Sequence, residues 1–447
     1  MKEDTLAEKI SAGIKNSVTL KLITILILVL LLLIPASMIR GIINERQALN
    51  DQASKEVSAK WAKSQEILGP ILTIPILYET KGKNGEAIET VEYWNTLPEN
   101  LEVAGTIDPK QLSRGIYEVV VYSSRLEFTG DFKLKAPVHA GLKEIQYDKA
   151  FLSIGISDLR GIKNQIEVAW DEKQLAVEPG SRIPGLIDAG ITVPLSKQLN
   201  ASALQYTFSF NLDLQGSENL SFVPIGSQTS VKLQSDWNSP SFNGNFLPDS
   251  RTIDKHGFTA AWNVLQLNRN YPQSWIGEHT SKRNALSASA FGVDFILPLD
   301  NYQKEIRSSK YAIMTISLTF LVFFLVEILN KRKIHPFQYT LVGLALCLFY
   351  VLLVSITEHV NFNFAFGISV AGIVSMISLY SLNIFKSKKL SLLLSLILFG
   401  LYGFLFVTLQ LADFALLLGG LGLTTMLGLT MYFTRKINWY QLNIEVK

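Results

Sequence analysis

A charge set within a long apolar run is costly and is kept only for a reason, so such residues come first. Glu327 is the one acid well inside such a run, near the end of Tyr311–Leu329. A carboxyl at that depth suits a proton or ion carrier. The plainer reading is that it reaches the interface and pairs with Lys331 or His335. A second group, Glu358, His359 and Asp413, falls at the ends of two further runs, with Arg40 and Arg307 at the matching ends of two others. Because histidine titrates near neutrality, these residues fit a proton or ion site at one mouth of a helical bundle. They equally fit helix-end charges in headgroup water, where exposed pairs contribute little. His335 lies at the opposite end of its run and cannot join them.

Other patterns carry less. The stretch Ser153 to Gly161 sets Asp158 and Arg160 at a strand end, suited to a polar ligand or, more simply, to capping a turn. Gly155 and Ser157 lack the rest of a nucleophile elbow. Gly419, Gly420 and Gly422 sit in an apolar run, where close helix packing explains them better than phosphate binding. Trp94, Trp170, Trp237, Trp262 and Trp275 fit a sugar-stacking groove or, the default at strand positions, a core. His139, His256 and His279 have no ligand at metal-binding spacing. The residues therefore predict no catalytic, cofactor or metal site, and no enzyme.

The elements that must position these residues are apolar runs joined by basic connections. From Pro336 through Thr357 no side chain is charged, and a span needs about 20 residues at 1.5 Å each. The same reading gives spans at 22–39, 311–329, 336–357, 362–385, 390–411 and 414–434. Lys2, Lys9, Lys15 and Lys21 precede the first. Lys331 to Lys333, then Lys386, Lys388 and Lys389, fill two connections, and Arg435 and Lys436 follow the last. The short connections at Thr357–Asn363 and near Asp413 hold no Lys or Arg. The charge bias predicts that both termini, 1–21 and 435–447, are cytoplasmic. The eighteen-residue run Leu22–Ile39 with a poor exit at Pro35 to Met38 reads as an anchor, not a cleaved signal.

Between the first and second spans, residues 40–305 form the extracytoplasmic part. Leu49, Ala53, Val57, Trp61 and Leu68 recur mostly at four-residue steps and predict a helical stalk over 45–68, stopped by Gly69 and Pro70. The body, 71–305, reads as short strands: Ile71–Tyr78, Ile116–Phe128, Phe151–Ser157, Gln165–Trp170, Tyr206–Leu214 and Val231–Trp237. Every second residue from Tyr206 to Leu214 is apolar, so one face is dry and the other wet. Turn signals between the runs predict a sandwich, with a seam near Gln174–Asn200 between two stacked modules. The fold class is thus an α+β membrane protein: six transmembrane helices with a large β-rich extracytoplasmic domain between the first and second.

Composition agrees. The 447 residues are 48% hydrophobic and 18% charged, with mean hydropathy +0.24. Residues 45–305 carry 25 Lys and Arg against 31 Asp and Glu, a net −6, although the whole chain is +3. The excess positive charge therefore flanks the spans and is not a nucleic-acid surface. The one cysteine, Cys347, lies in a span, so the outer domain folds without disulfides.

Ordered stretches run along nearly the whole chain. They include Glu66, Gly69, Pro70, Ile71 and Leu72; Arg114 to Tyr117; Asp158 to Gly161; and Pro240 with Gly244, Phe246 and Pro248. They continue through Gly257, Ala260 and Trp262, Gly292 with Pro298, Asp300 and Tyr302, Leu318 to Phe320 with Glu327, His335 with Pro336, Gln338 and Tyr339, and finally Glu358 with His359. In these stretches the chain resembles the CreD family of bacterial inner-membrane proteins. The resemblance implies an inner-membrane protein with an external domain, linked by name to envelope integrity and to carbon-source-responsive two-component regulation. It carries over no catalytic residues. Two functions follow as expectations. One is a non-enzymatic envelope protein in the inner membrane, whose periplasmic domain binds an envelope protein, glycan or lipid. The other is a transporter or lipid-handling protein working through the C-terminal helices. Deep polar residues are few, essentially Glu327 with Asn383 and Gln410 near helix ends, which favours the first. No cofactor is expected, the bilayer is the one certain partner, and nothing in the residues sets an oligomeric state.

Overall fold

The computed structural model describes residues 18–81, 87–137, 142–196, 198–199, 204–277, 280–295, 301–330, 334–411 and 414–435. Contacts divide the chain into two compact units, one of Met1–Leu49 with Leu299–Lys447 and one of Asn50–Pro298.

A single helix, α1 (Val18–Lys60), contributes residues to both units, with Pro35 inside it and no break between membrane run and stalk. It ends before the stalk reading of 45–68 does. The helix stops at Lys60, and the chain is a strand from Gln65. Gly69 and Pro70, expected as the helix stop, lie instead within that strand, at a register irregularity between Leu68 and Ile71 where proline's missing N–H is tolerated. A Cβ on Gly69 would stand 2.9 Å from Ile154 Cα and Ser153 O, and its φ is +141°, so the crossing needs glycine.

The strands of the second unit are β1 (Gln65–Lys81), β2 (Ala87–Thr96), β3 (Asn100–Arg114), β4 (Tyr117–Lys133), β5 (Leu142–Ile145), β6 (Phe151–Ile156), β7 (Glu167–Trp170), β8 (Lys173–Ala176) and β9 (Glu178–Pro179). They continue with β10 (Gly190–Pro194), β11 (Gln205–Ser217), β12 (Asn219–Phe222), β13 (Gln228–Ser235), β14 (Pro240–Gly244), β15 (Ser250–Asp254), β16 (Gly257–Leu265), β17 (Ser274–Ile276) and β18 (Phe291–Phe295). One sheet runs β14-β18-β12-β1-β6-β10-β9, with β2, β5 and β17 attached beside β1 and β2; the other runs β15-β16-β13-β3-β4-β11-β7-β8. β1 is central and buried on both faces from Ile67 to Ile76, which suits its run of Ile, Leu and Thr. In β11 burial alternates along Tyr206, Phe208, Phe210, Leu212 and Leu214, as the period of two requires.

Both sheets contribute to one hydrophobic core. The seam expected near Gln174–Asn200 does not divide it: Ile183, Leu186 and Ile187 from that segment are buried in the same cluster as Trp170. Trp94, Trp170 and Trp262 are among the largest fully buried side chains, and Trp237 and Trp275 also pack on this core. The tryptophans are therefore core residues and line no sugar groove. A short helix, α2 (Thr280–Ala288), precedes β18.

In the first unit, α3 (Asn301–Lys310) leads into α4 (Ala312–Leu329), α5 (Pro336–Thr357), α6 (Phe362–Phe385), α7 (Lys388–Gln410) and α8 (Ala415–Thr434). Among the described residues five helices, α1 and α4 to α7, are long and apolar enough to cross a membrane, and α8 holds a shorter apolar stretch, Leu417–Tyr432. His335 caps α5: its Nδ1 accepts from the Phe337 N–H at 3.2 Å while its own N–H donates to Gln338 Oε1 at 3.0 Å. Pro336 follows at the first helical position, where its missing N–H costs nothing. A Cβ on Gly422 would strike the ring of Phe404, so α8 approaches α7 there; Gly419 and Gly420 face open space.

Candidate functional site

Glu327 is 1% exposed, so it does not reach an interface. Its partner is Lys21 of α1, which donates from Nζ to Oε1. The Ile334 N–H donates to the same oxygen at 3.0 Å, and Tyr339 Oη donates to Oε2 at 3.0 Å. Lys21 also donates to the Ile334 carbonyl at 3.1 Å. Both carboxylate oxygens are thus engaged, as a buried charge requires. His335, one of the two expected partners, does not fill this role. It is the α5 cap, and Lys331 lies outside the described residues.

At the opposite end of the bundle, Glu358 pairs with Arg46 of α1 at 3.2 Å rather than with Arg40 or Arg307. His359 is exposed, and its N–H closes the helix end on the Ile356 carbonyl at 3.0 Å. Asp413 lies outside the described residues. Glu305, which no motif marks, is 2% exposed and accepts from Thr357 Oγ1. Lys304 Nζ donates to Gln410 Oε1 at 3.4 Å, and Gln410 Nε2 donates to Asn363 Oδ1 at 2.6 Å. These are contacts that tie helix ends together. Among the described residues no group of three His, Cys, Asp or Glu could hold a metal.

Asp158 and Arg160 form a clasp on the end of α1. The Asp158 Oδ1 accepts from Arg160 Nε at 2.8 Å and from the Arg160 N–H at 3.2 Å. Its Oδ2 accepts from the Lys63 N–H at 3.0 Å and from the Arg160 guanidinium. Arg160 in turn donates to the carbonyl of Ala59, in the last turn of α1, where a cation also complements the helix dipole. Gln65, fully buried, donates to the Asp158 and Gln215 carbonyls at 2.9 Å, and its Oε1 accepts from the Asp158 N–H at 3.1 Å. The Arg160 guanidinium holds the Asp158 carboxyl down at about 2; burial opposes this, and the Lys63 and Arg160 amides reinforce it. Both carboxylate oxygens and the guanidinium bond the chain itself, which is the geometry of a joint.

The second sheet carries an open polar face. Register places six side chains in a row across it, Thr252, Thr259, Gln234, Thr106, Arg125 and Asp213, one from each of β15, β16, β13, β3, β4 and β11. The adjoining row is Ser250, Ala261, Lys232, Ala104, Glu127 and Asn211. A cavity of about 560 Å³ follows these rows, and two more, of about 390 and 320 Å³, continue it by sharing Arg125 with the first or Glu127 and Asn211 with it. No motif marks this groove, because its residues come from six strands. Only the polar phase of each strand could have pointed to it.

Long apolar helices together with a large β domain define a multi-pass membrane protein. The family model described as Inner membrane protein CreD matches residues 17–440. The Inner membrane protein CreD of Escherichia coli (strain K12) is 34% identical over 426 residues, covering 93% of this chain and 92% of that protein. The chain belongs to the CreD family of inner membrane proteins.

Proposed function

We propose that the chain crosses the inner membrane six times, with both termini in the cytoplasm and the β domain in the periplasm. In this reading it supports envelope integrity without enzymatic activity, by binding an envelope component through that domain. The observation that carries it is a contrast. Glu327, deep in the bundle, has both carboxylate oxygens engaged by Lys21, Tyr339 and the Ile334 amide, whereas the second sheet turns two mostly polar rows of side chains to solvent. The basic residues near Lys331, Lys386 and Arg435 support the orientation. The transport reading draws on the buried hydroxyls of Ser369, Ser391 and Tyr402, which have no hydrogen-bond partner among the described residues. A triple variant, Ser369→Ala with Ser391→Ala and Tyr402→Phe, is expected to restore envelope resistance fully in a deletion strain. Loss of resistance from an abundant, inserted triple variant would move the function into the bundle.

Topology has its own check. In a Cys347→Ser background, cysteines at Lys255 and Asn361 are expected to react in spheroplasts with a membrane-impermeant thiol reagent. Cysteines at Ser11 and Ser387 are expected to react only after lysis. Labelling of the Ser387 position in intact spheroplasts rejects the six-span arrangement.

A further inference from the structure

We propose that Arg40, with Arg307 and Lys310, forms a phosphate site at the end of the bundle opposite Glu327, filled by the headgroup of an anionic phospholipid. It goes beyond the envelope reading and rests on neither the topology nor the β domain. The starting point is a charge without a partner. Arg40 lies on the packed stripe of α1, one turn beyond Ala36 and three residues before Ile43, which are 2% and 1% exposed. Arg40 itself is half-buried, and its Nε is shielded from solvent with no hydrogen-bond partner among the described residues. It makes no ion pair within 4 Å among those residues, and neither do Arg307, half-buried, and Lys310, exposed. An arginine near the end of an apolar helix ordinarily keeps its head in water; one whose Nε is shielded calls for a counter-charge.

Two contacts bring the three cations to one level. α1 and α4 run antiparallel: Lys21 meets Glu327, and a Cβ on Gly343 would meet both Leu32 and Phe320. Arg40 stands eight residues beyond Leu32, and Ala312 stands eight before Phe320. At equal rise per residue, Arg40 therefore comes level with the junction of α3 and α4. Lys310 ends α3, and Arg307 lies three residues before it on the same side of that helix. The described carboxylates nearby are turned elsewhere. Glu305 accepts from Thr357 of α5, and Glu358 pairs with Arg46. Glu45 is exposed, five residues along α1 from Arg40 and so on another side of it. Lys304 is directed to α6 and α7, 5.5 Å from the centre of the Phe362 ring and 3.4 Å from Gln410 Oε1, and is not counted in the site. Chemistry then names the ligand. A guanidinium is a planar fork of N–H donors that matches two oxygens of a phosphate, and a lysine adds a point charge. Arg40 directly follows the apolar run Leu22–Ile39, at the depth where a bilayer places its headgroups. A headgroup phosphate therefore reaches it without leaving the bilayer.

The test uses the full chain in dodecyl maltoside, reads its melting temperature and compares three additives: phosphatidylglycerol, phosphatidylcholine and inorganic phosphate. Phosphatidylglycerol is expected to raise the wild-type melting temperature by about 5 °C, and the other two by much less. Arg40→Gln is expected to lose most of that shift, whereas Lys389→Gln, in the first turn of α7 at the other end of the bundle, keeps it. Without added lipid, Arg40→Gln is expected to melt no lower than wild type, because no internal partner is lost. A variant that melts lower without lipid, yet gains the full shift from phosphatidylglycerol, makes Arg40 a structural residue and overturns the proposal. So does an equal shift of the wild type with phosphatidylcholine, the mark of general support by lipid. Protection by inorganic phosphate alone, lost in Arg40→Gln, overturns the headgroup assignment and makes a soluble phosphate the ligand. None of these outcomes bears on the envelope role, which is read separately, from resistance in the deletion strain.

Discussion

Glu327→Gln and Lys21→Met, made singly, are expected to cut the yield of folded, inserted protein severely, while Glu327→Leu combined with Lys21→Leu recovers most of it. The reason is burial. Glu327 is 1% exposed and its carboxylate is matched by Lys21, Tyr339 and the Ile334 amide. Removing one partner of such a pair strands the other charge, a loss of about 3–5 kcal/mol, whereas replacing both by apolar residues is often neutral. Against a total stability of about 5–15 kcal/mol, the single changes are severe. The amide introduced by Glu327→Gln would still bond Tyr339 but would leave the Lys21 ammonium without a counter-charge. Fluorescence-detected size exclusion of the solubilised variants measures the yield. A Glu327→Gln protein as abundant as wild type, yet inactive, would show that the carboxylate carries a proton or ion.

The second large effect concerns the clasp at the end of α1. Asp158→Ala is expected to expose the junction between Lys60 and Gln65, raising its rate of tryptic cleavage at Lys60 and Lys63 at least tenfold. The change takes the acceptor from the Lys63 amide and leaves the Arg160 guanidinium with only the Ala59 carbonyl, so the clasp loses its centre. Arg182→Ala, which breaks an exposed pair with Glu178, should leave the rate unchanged. The pH dependence has a definite sign. The folded carboxyl titrates at about 2, below the value of about 3.9 for an unfolded aspartate. Its stabilisation is therefore complete above about pH 4 and is lost as the pH falls through about 2. Pepsin digestion of the wild-type protein should accelerate between about pH 4 and about pH 2 more than that of Asp158→Asn. Parallel acceleration in both proteins would remove Asp158 from the account.

The amino-acid sequence by itself determined the elements whose cause is local. Uncharged runs of about 20 residues become helices, because within the chain only a helix satisfies every backbone group in an apolar setting. The period of two from Tyr206 to Leu214 becomes a strand with one buried face. His335, Pro336 and Gln338 make a cap from residues close together in the chain. Local pattern misled where the decisive neighbour was distant. Gly69 and Pro70 read as a helix stop, but the strand around them is demanded by β6 and β12 on either side. The segment around Ile183 read as a seam, but its apolar side chains find the same core as Trp170.

The candidate sites depended on tertiary structure still more. Lys21 and Glu327 stand 306 positions apart, and no spacing rule connects them. Arg46 meets Glu358, and the Asp158 clasp meets the end of α1, only after those elements dock. The groove is the extreme case, with neighbours drawn from six strands. Alternation assigns each side chain to a face, but strand order and register decide which side chains become neighbours, and those are set by long-range pairing and shared core packing.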